Sequence, residues 1–163
     1  MEELAKNKAK KEYMKRLRQV LKSKLNAKNK IQAINAYAIP VISYTGGIIK
    51  WRSDELKQIN SRTRKIMTMH GALHPRADVD RLYVSRKKGG RGLKDIAEVI
   101  QREDRSLSEY VHKNEYDDPL LAMVKTSGAY RRMSDSLEAW QEKTEKDRED
   151  RWKQKPLANT QSK

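Results

Sequence analysis

Nineteen consecutive residues without a charge, Ile31 to Ile49, constrain this chain more than any other feature, because 36% of its residues are charged. Such a stretch in such a chain is either a membrane span or the middle of a core. It contains Gln32, Asn35, Pro40, Gly46 and Gly47 and has few strongly lipophilic side chains for its length, so a buried helix accounts for it better than a bilayer does. Ile31, Ile34, Ala38, Val41 and Ile42 recur at helical spacing along one side, and Ala33, Tyr37 and Tyr44 make the other sides apolar. A helix hydrophobic nearly all round is expected at the centre of a fold. Pro40 is expected to kink it, since its ring clashes with the carbonyl four residues back, and Gly46 and Gly47 to loosen or end it.

The flanking segments read as amphipathic helices. Over 2–25, Tyr13, Leu17, Val20, Leu21 and Leu25 recur at three and four among Lys15, Arg16, Arg18, Lys22 and Lys24. Leu4 is the lone apolar anchor of the first ten residues, so that end is expected to fray. Asn26 or Asn29 is positioned to start the second helix. Ser53 reads as the N-cap of a third, with Asp54 and Glu55 in its first turn, where carboxylates suit the helix dipole. Leu56, Ile59, Thr63, Ile66, Met67 and His70 carry its apolar face to Gly71. Three helices joined by short connections predict a small bundle.

Beyond Gly71 the pattern changes. Pro75 breaks it, Asp78 is placed to cap a single turn through Tyr83, and Ser85 to Gly92 form a basic glycine loop. Leu93, Ile96, Ile100, Leu107, Tyr110 and Val111 mark a further amphipathic helix. Asp118 followed by Pro119 is a cap and first-turn proline for a short helix to about Thr126. From Ser134, acids and bases alternate around Leu137, Trp140 and Trp152, which predicts solvated helix or disorder with no core role. The expected fold is all-α, with a three-helix region over 1–70, the loop and linker helices over 71–127, and a charged tail over 128–163.

Charge is segregated along this plan. Residues 1–94 hold 24 of the 37 bases but only 7 of the 22 acids. A field of one sign over the first part of the chain suits a polyanion, nucleic acid being the commonest; an anionic membrane surface and a merely solvated basic face are the alternatives. Without cysteine there is neither a disulfide nor a thiolate metal site. The charged start, Met-Glu-Glu-Leu-Ala-Lys, is unlike a secretory signal, which points to an intracellular setting, the nucleus among the candidates.

Signals for chemistry are few. The loop Ser85-Arg86-Lys87-Lys88-Gly89-Gly90-Arg91-Gly92 combines glycines, which let a backbone approach phosphate closely, with four cations; it matches neither a Walker motif nor a dinucleotide fingerprint. The alternative is a turn whose cations face water. Tyr116-Asp117-Asp118 superficially resembles a polymerase aspartate pair, but Pro119 follows and capping is the expected role. His70 and His74 share helical spacing, yet two ligands are too few for a metal site. Nothing pairs a nucleophile with a base at informative spacing. Tyr13, Tyr37, Tyr44 and Trp51 sit at core spacing and are expected to pack rather than stack on bases. No catalytic centre, metal or cofactor is expected.

The stretch His74-Pro75-Arg76-Ala77-Asp78-Val79-Asp80-Arg81-Leu82-Tyr83, with the basic Gly-Gly-Arg-Gly-Leu loop after it, resembles the region following the polymerase palm in reverse transcriptases of non-LTR, LINE-type retrotransposons. Lys11-Glu12-Tyr13 through Leu25-Asn26, Ile34-Asn35-Ala36-Tyr37-Ala38-Ile39-Pro40-Val41-Ile42-Ser43-Tyr44, Arg62-Thr63-Arg64-Lys65 and Met67-Thr68-Met69-His70 are similar to that family's thumb. Asp118-Pro119-Leu120-Leu121 and Trp152-Lys153-Gln154-Lys155-Pro156-Leu157 follow it more loosely. The resemblance covers roughly 10–127 well and 134–157 weakly. It implies a helical thumb that lies along a template-primer duplex, here without palm aspartates, fingers, zinc knuckle or endonuclease: a reading frame from a truncated element copy, opening at its own Met1. It carries over no activity. It carries over backbone contacts to RNA or DNA at Lys15, Arg18, Lys22, Arg62, Arg64, Lys65, Arg76, Arg86, Lys87, Lys88 and Arg91, and a fragment parted from its palm could also self-associate through exposed apolar helix faces.

Overall fold

The computed structural model describes residues 1–126 and 137–155; the start of the tail at Ser134 and the Pro156-Leu157 end of the resemblance lie outside them. The chain is all-α. Its elements are α1 (Glu2–Lys22), α2 (Ala27–Ala33), a π-helical turn (Ile34–Ala38), α3 (Ile39–Ser43), α4 (Ser53–Met69), α5 (Val79–Tyr83), a 3-10 turn (Arg86–Lys88), α6 (Ile96–Asn114), α7 (Pro119–Thr126) and α8 (Leu137–Gln154). Among the described residues no helix is long and apolar enough to cross a membrane.

The core is built where α1, the π turn, α3, α4 and α6 meet. Tyr13 and Leu17 of α1, Ile34 and Ile42 of the second segment, Met67 of α4 and Ile96 of α6 are fully buried. Each removes an apolar side chain from water, about 1.5–3 kcal/mol apiece. Tyr13 brings a hydroxyl inside, and its oxygen pairs with Thr63 Oγ1 at 2.9 Å, so the buried polar atom is not left unmatched. The charge-free stretch is thus at the centre, as its composition requires, but it is not one kinked helix. Immediately before Pro40 the backbone widens by one residue, and Ile39 N–H bonds to Ile34 O. A π turn there relieves the collision that a proline ring would have with the preceding turn. The segment ends at Ser43, and the following turn passes so close to α6 that a Cβ on Gly46 would lie 2.7 Å from Glu103 Cβ.

Several local expectations are corrected. Helix α1 stops at Lys22 rather than 25, where Ser23 turns extended and bonds Val20 O; Leu25 is left exposed. The first turns of α1 are anchored, though not by Leu4, which is exposed. Lys6 is buried instead, its Nζ donating to Glu55 Oε2 at 3.1 Å. Lys6 and Lys10 both sit over the Trp51 ring, 5.7 and 5.6 Å from its centroid, so cation–π and ionic contacts substitute for the missing hydrophobic ones. Arg52 rather than Ser53 occupies the N-cap of α4, its N–H donating to Glu55 Oε2 at 3.0 Å. Tyr37, Tyr44, Leu107 and Tyr110, all at core spacing, are exposed: a second neighbour would be needed to cover their side of the helices.

Helix α8 departs furthest from a solvated tail. It packs on α5 and α6 through Arg148, whose side chain is only 12% exposed. The guanidinium donates to Glu98 Oε1 at 2.5 Å and to Asp95 Oδ2, lies 3.7 Å from Asp80 Oδ1, and sits over the Tyr83 ring at 4.7 Å. Burial works against its charge, but Glu98 and Asp95 outweigh this and hold the Arg148 pKa above its ordinary value. Lys155 to Asp78 and Asp80, and Arg151 to Asp80, continue the clasp.

Candidate nucleic-acid interface

On α1, Lys11, Lys15, Arg18 and Lys22 follow one another at four, three and four residues, and all four are exposed. At 100° per residue that spacing keeps them within about 60° of arc. The opposite face is held down by Ala9, Tyr13, Leu17 and Val20, so packing of the core aims the cations outward. Beside this stripe, α1 and α4 enclose a groove of about 440 Å³ lined by Lys10, Lys11 and Arg18 from one helix and Gln58 and Arg62 from the other. Among the described residues Glu55 is the single acid in its wall. Its pKa is held below the usual value, first by the Arg52 backbone N–H and then, against the cost of burial, by Lys6 and Lys10.

The remaining sequence-predicted cations are elsewhere. Arg64 is half-buried, donating to the Tyr83 hydroxyl at 2.9 Å and to Ser61 Oγ at 3.2 Å; it braces α4 against α5. Lys65 and Arg76 are exposed. Arg86, Lys87 and Arg91 line a second groove, of about 620 Å³, between α2, the glycine loop, α6 and α8. The eleven residues therefore do not form one continuous group: Arg18 and Arg62 share a groove, Lys15 and Lys22 extend its α1 edge, and the loop residues belong to another.

The loop is constructed differently from the phosphate cradle its glycines suggest. Gly89 N–H bonds to Arg86 O, Gly90 to Ser85 O, Arg91 to Arg81 O, Gly92 to Val84 O and Leu93 to Leu82 O. Five successive amides are thus already used, and from Gly89 to Leu93 a phosphate would have to be met by side chains rather than backbone donors. The glycines serve the fold: a Cβ on Gly90 would fall on the Val84 carbonyl, and Gly89 turns left-handed (φ +87°) beneath Trp152. Lys88 is paired with Glu145 and Glu149 of α8 at 3.6 and 3.4 Å, and Arg91 donates to Ala72 O at 3.4 Å. Among the described residues Arg86 and Lys87 have no ion-pair partner.

The other sequence signals occupy local roles. Asp118 Oδ1 accepts from Leu120 N–H at 2.9 Å and caps α7; Asp78 accepts from Arg81 N–H at 3.0 Å and caps α5; His74 Nδ1 accepts from Arg76 N–H at 3.1 Å. Among the described residues no group of three or more side chains could hold a metal ion. Sequence reasoning missed Lys10 and Lys11, although Lys11 is four residues before Lys15 and was visible as the first member of the stripe. It also missed Lys94, Arg102 and Trp140 of the second groove; nothing in a charge-alternating segment singles out Trp140. No family model, no curated protein and no solved structure matches the chain.

Proposed function

We propose that this chain binds the phosphate backbone of RNA or DNA without sequence preference and without catalysis, and that it derives from the thumb and following linker region of a non-LTR retrotransposon reverse transcriptase. The observation that carries the binding reading is the exposed α1 stripe flanked by Arg62 across a shared groove. From Lys11 to Lys22 the helix rises about 16 Å, a length over which a duplex presents roughly ten phosphate charges. Side chains so placed fit the regular spacing of a backbone, whereas among the described residues the groove offers no aromatic surface to a base. The ancestry rests on the resemblance of the sequence stretches named above.

Fluorescence anisotropy with RNA, DNA and hybrid duplexes across a salt series tests it. Five cations in contact give a slope of log affinity against log salt of roughly −4.5 for duplex. A flat series, or affinity absent at low salt, removes the function.

A second reading, a protein-interaction fragment with no nucleic-acid role, is favoured by a different observation. Tyr44, Ile48, Tyr110, Leu120 and Met123 are all more than half exposed, and α7 buries none of its residues. Gel filtration with and without a short RNA hairpin separates the two: self-association independent of RNA supports the second, an RNA-dependent shift of a monomer the first.

A further inference from the structure

The second groove differs from the α1/α4 groove in one respect that matters chemically: it combines cations with an aromatic. One wall carries Arg86, Lys87 and Lys94, exposed and without an ion pair among the described residues; Trp140 of α8 is on the other. Among the described residues six basic side chains line it against three acidic ones, and two of those acids, Asp95 and Glu98, are taken by Arg148. The third, Glu145, reaches Lys88 through Oε2. Arg105 sits over the Trp140 ring at 5.0 Å and steadies it. At about 620 Å³ the groove has the size of a small-ligand site, yet it is open, as a site for a passing polymer must be.

Resting on the nucleic-acid reading above, we infer that this groove takes a single-stranded segment, its phosphates along Arg86, Lys87 and Lys94 and one base against Trp140. Backbone cations beside an aromatic surface are the general solution for single strands, since every base has a face to stack. The α1 stripe, lacking an aromatic, holds duplex. The preferred ligand is therefore a duplex that continues into a single strand.

The test compares a short blunt RNA duplex with the same duplex bearing a single-stranded tail, by anisotropy with the full chain. The tail tightens binding about tenfold in the wild type. Trp140→Ala abolishes that gain and leaves the blunt duplex affinity as it was, and Trp140→Phe keeps most of it. Because Trp140→Ala could loosen α8, Arg86→Gln/Lys87→Gln is made as well; it too removes the gain, from the wall that α8 does not form. A tail that adds nothing, or a gain that survives both variants, overturns the inference while salt-sensitive blunt-duplex binding leaves the broader function standing. Trp140-dependent binding of the single strand without duplex binding does the reverse. If neither probe binds, both fall.

Discussion

Asn60 Nδ2 donates to Asp95 Oδ1 at 2.7 Å, and Ile96 N–H returns a bond to Asn60 Oδ1 at 3.1 Å, so a buried amide on α4 is fastened to the head of α6 from both ends. The same Asp95 oxygen caps α6 through Ala97 N–H at 2.8 Å. Asn60→Ala leaves a buried N–H and part of a buried carboxylate unmatched, and is expected to lower stability by about 2–3 kcal/mol. Urea denaturation reads this as a reduced midpoint; an unchanged midpoint would mean that water reaches the site.

Removing the clasp on α8 should cost about as much or more. Arg148→Met leaves Asp80, Asp95 and Glu98 gathered without their cation, an imbalance of about 3–5 kcal/mol for buried groups. The expected signature is local before it is global: amide exchange across 137–155 accelerates and tryptophan emission shifts red, since Trp140 and Trp152 both ride on α8. Unaltered exchange there would show that the helix is held by something else.

Acid should weaken the α1–α4 contact through Glu55. Its folded pKa is depressed below the usual 4.5, so its contribution is fully present above that value and is lost as pH falls through the lower, folded one. Glu98 acts in the opposite sense. Burial raises its pKa despite Arg148, so what it contributes is present below 4.5 and lost as pH rises through the folded value. Stability followed by thermal melting between neutrality and acid should fall on the acid side, and Glu55→Gln should flatten that fall.

Gly90→Ala places a methyl group on the Val84 carbonyl, with backbone rather than a flexible side chain in the way. Overpacking of this kind costs about 1–3 kcal/mol and sometimes more. The melting temperature is expected to drop, with no corresponding loss from Gly71→Ala beyond the strain of its positive φ, because nothing lies within 4 Å of that position.

The two sets of cations should differ in their effect on duplex binding. Lys15→Gln/Arg18→Gln/Lys22→Gln/Arg62→Gln is expected to flatten the salt slope by roughly 0.9 per lost contact. Neutralising Arg86, Lys87, Lys88 and Arg91 together should weaken duplex binding less. Lys88 already faces Glu145 and Glu149, and Arg91 is engaged with Ala72 O. Equal effects from both sets would place duplex on the loop after all.

What could be read from the residues was what is decided locally. Asn26, Asp78 and Asp118 cap their helices because an Asx side chain reaches an amide two or three residues on. Leu56, Ile59, Thr63, Ile66 and Met67 repeat tightly enough to define the inner face of α4. The misses depend on distant neighbours. Tyr37 and Tyr44 have core spacing, but periodicity does not say whether a second helix arrives to cover that side. The amides of Arg91, Gly92 and Leu93 are consumed by carbonyls of Arg81, Val84 and Leu82, a fold-back that glycine content alone does not disclose. Arg148 finds Glu98 and Asp95 at separations of 50 and 53 residues, and α8 has no apolar stripe to announce that it docks.

The extra residue ahead of Pro40 has an effect well outside its own helix. Asn35 sits within that wide turn and reaches across to the far end of the glycine loop, donating to Gly92 O at 2.8 Å and accepting from Lys94 N–H at 2.9 Å. One surplus unit of backbone, accommodated beside a proline, rotates an amide into position as a latch. Where the loop rejoins the body, and with it the height at which Arg86 and Lys87 are displayed, is therefore governed by helical phase more than fifty residues upstream.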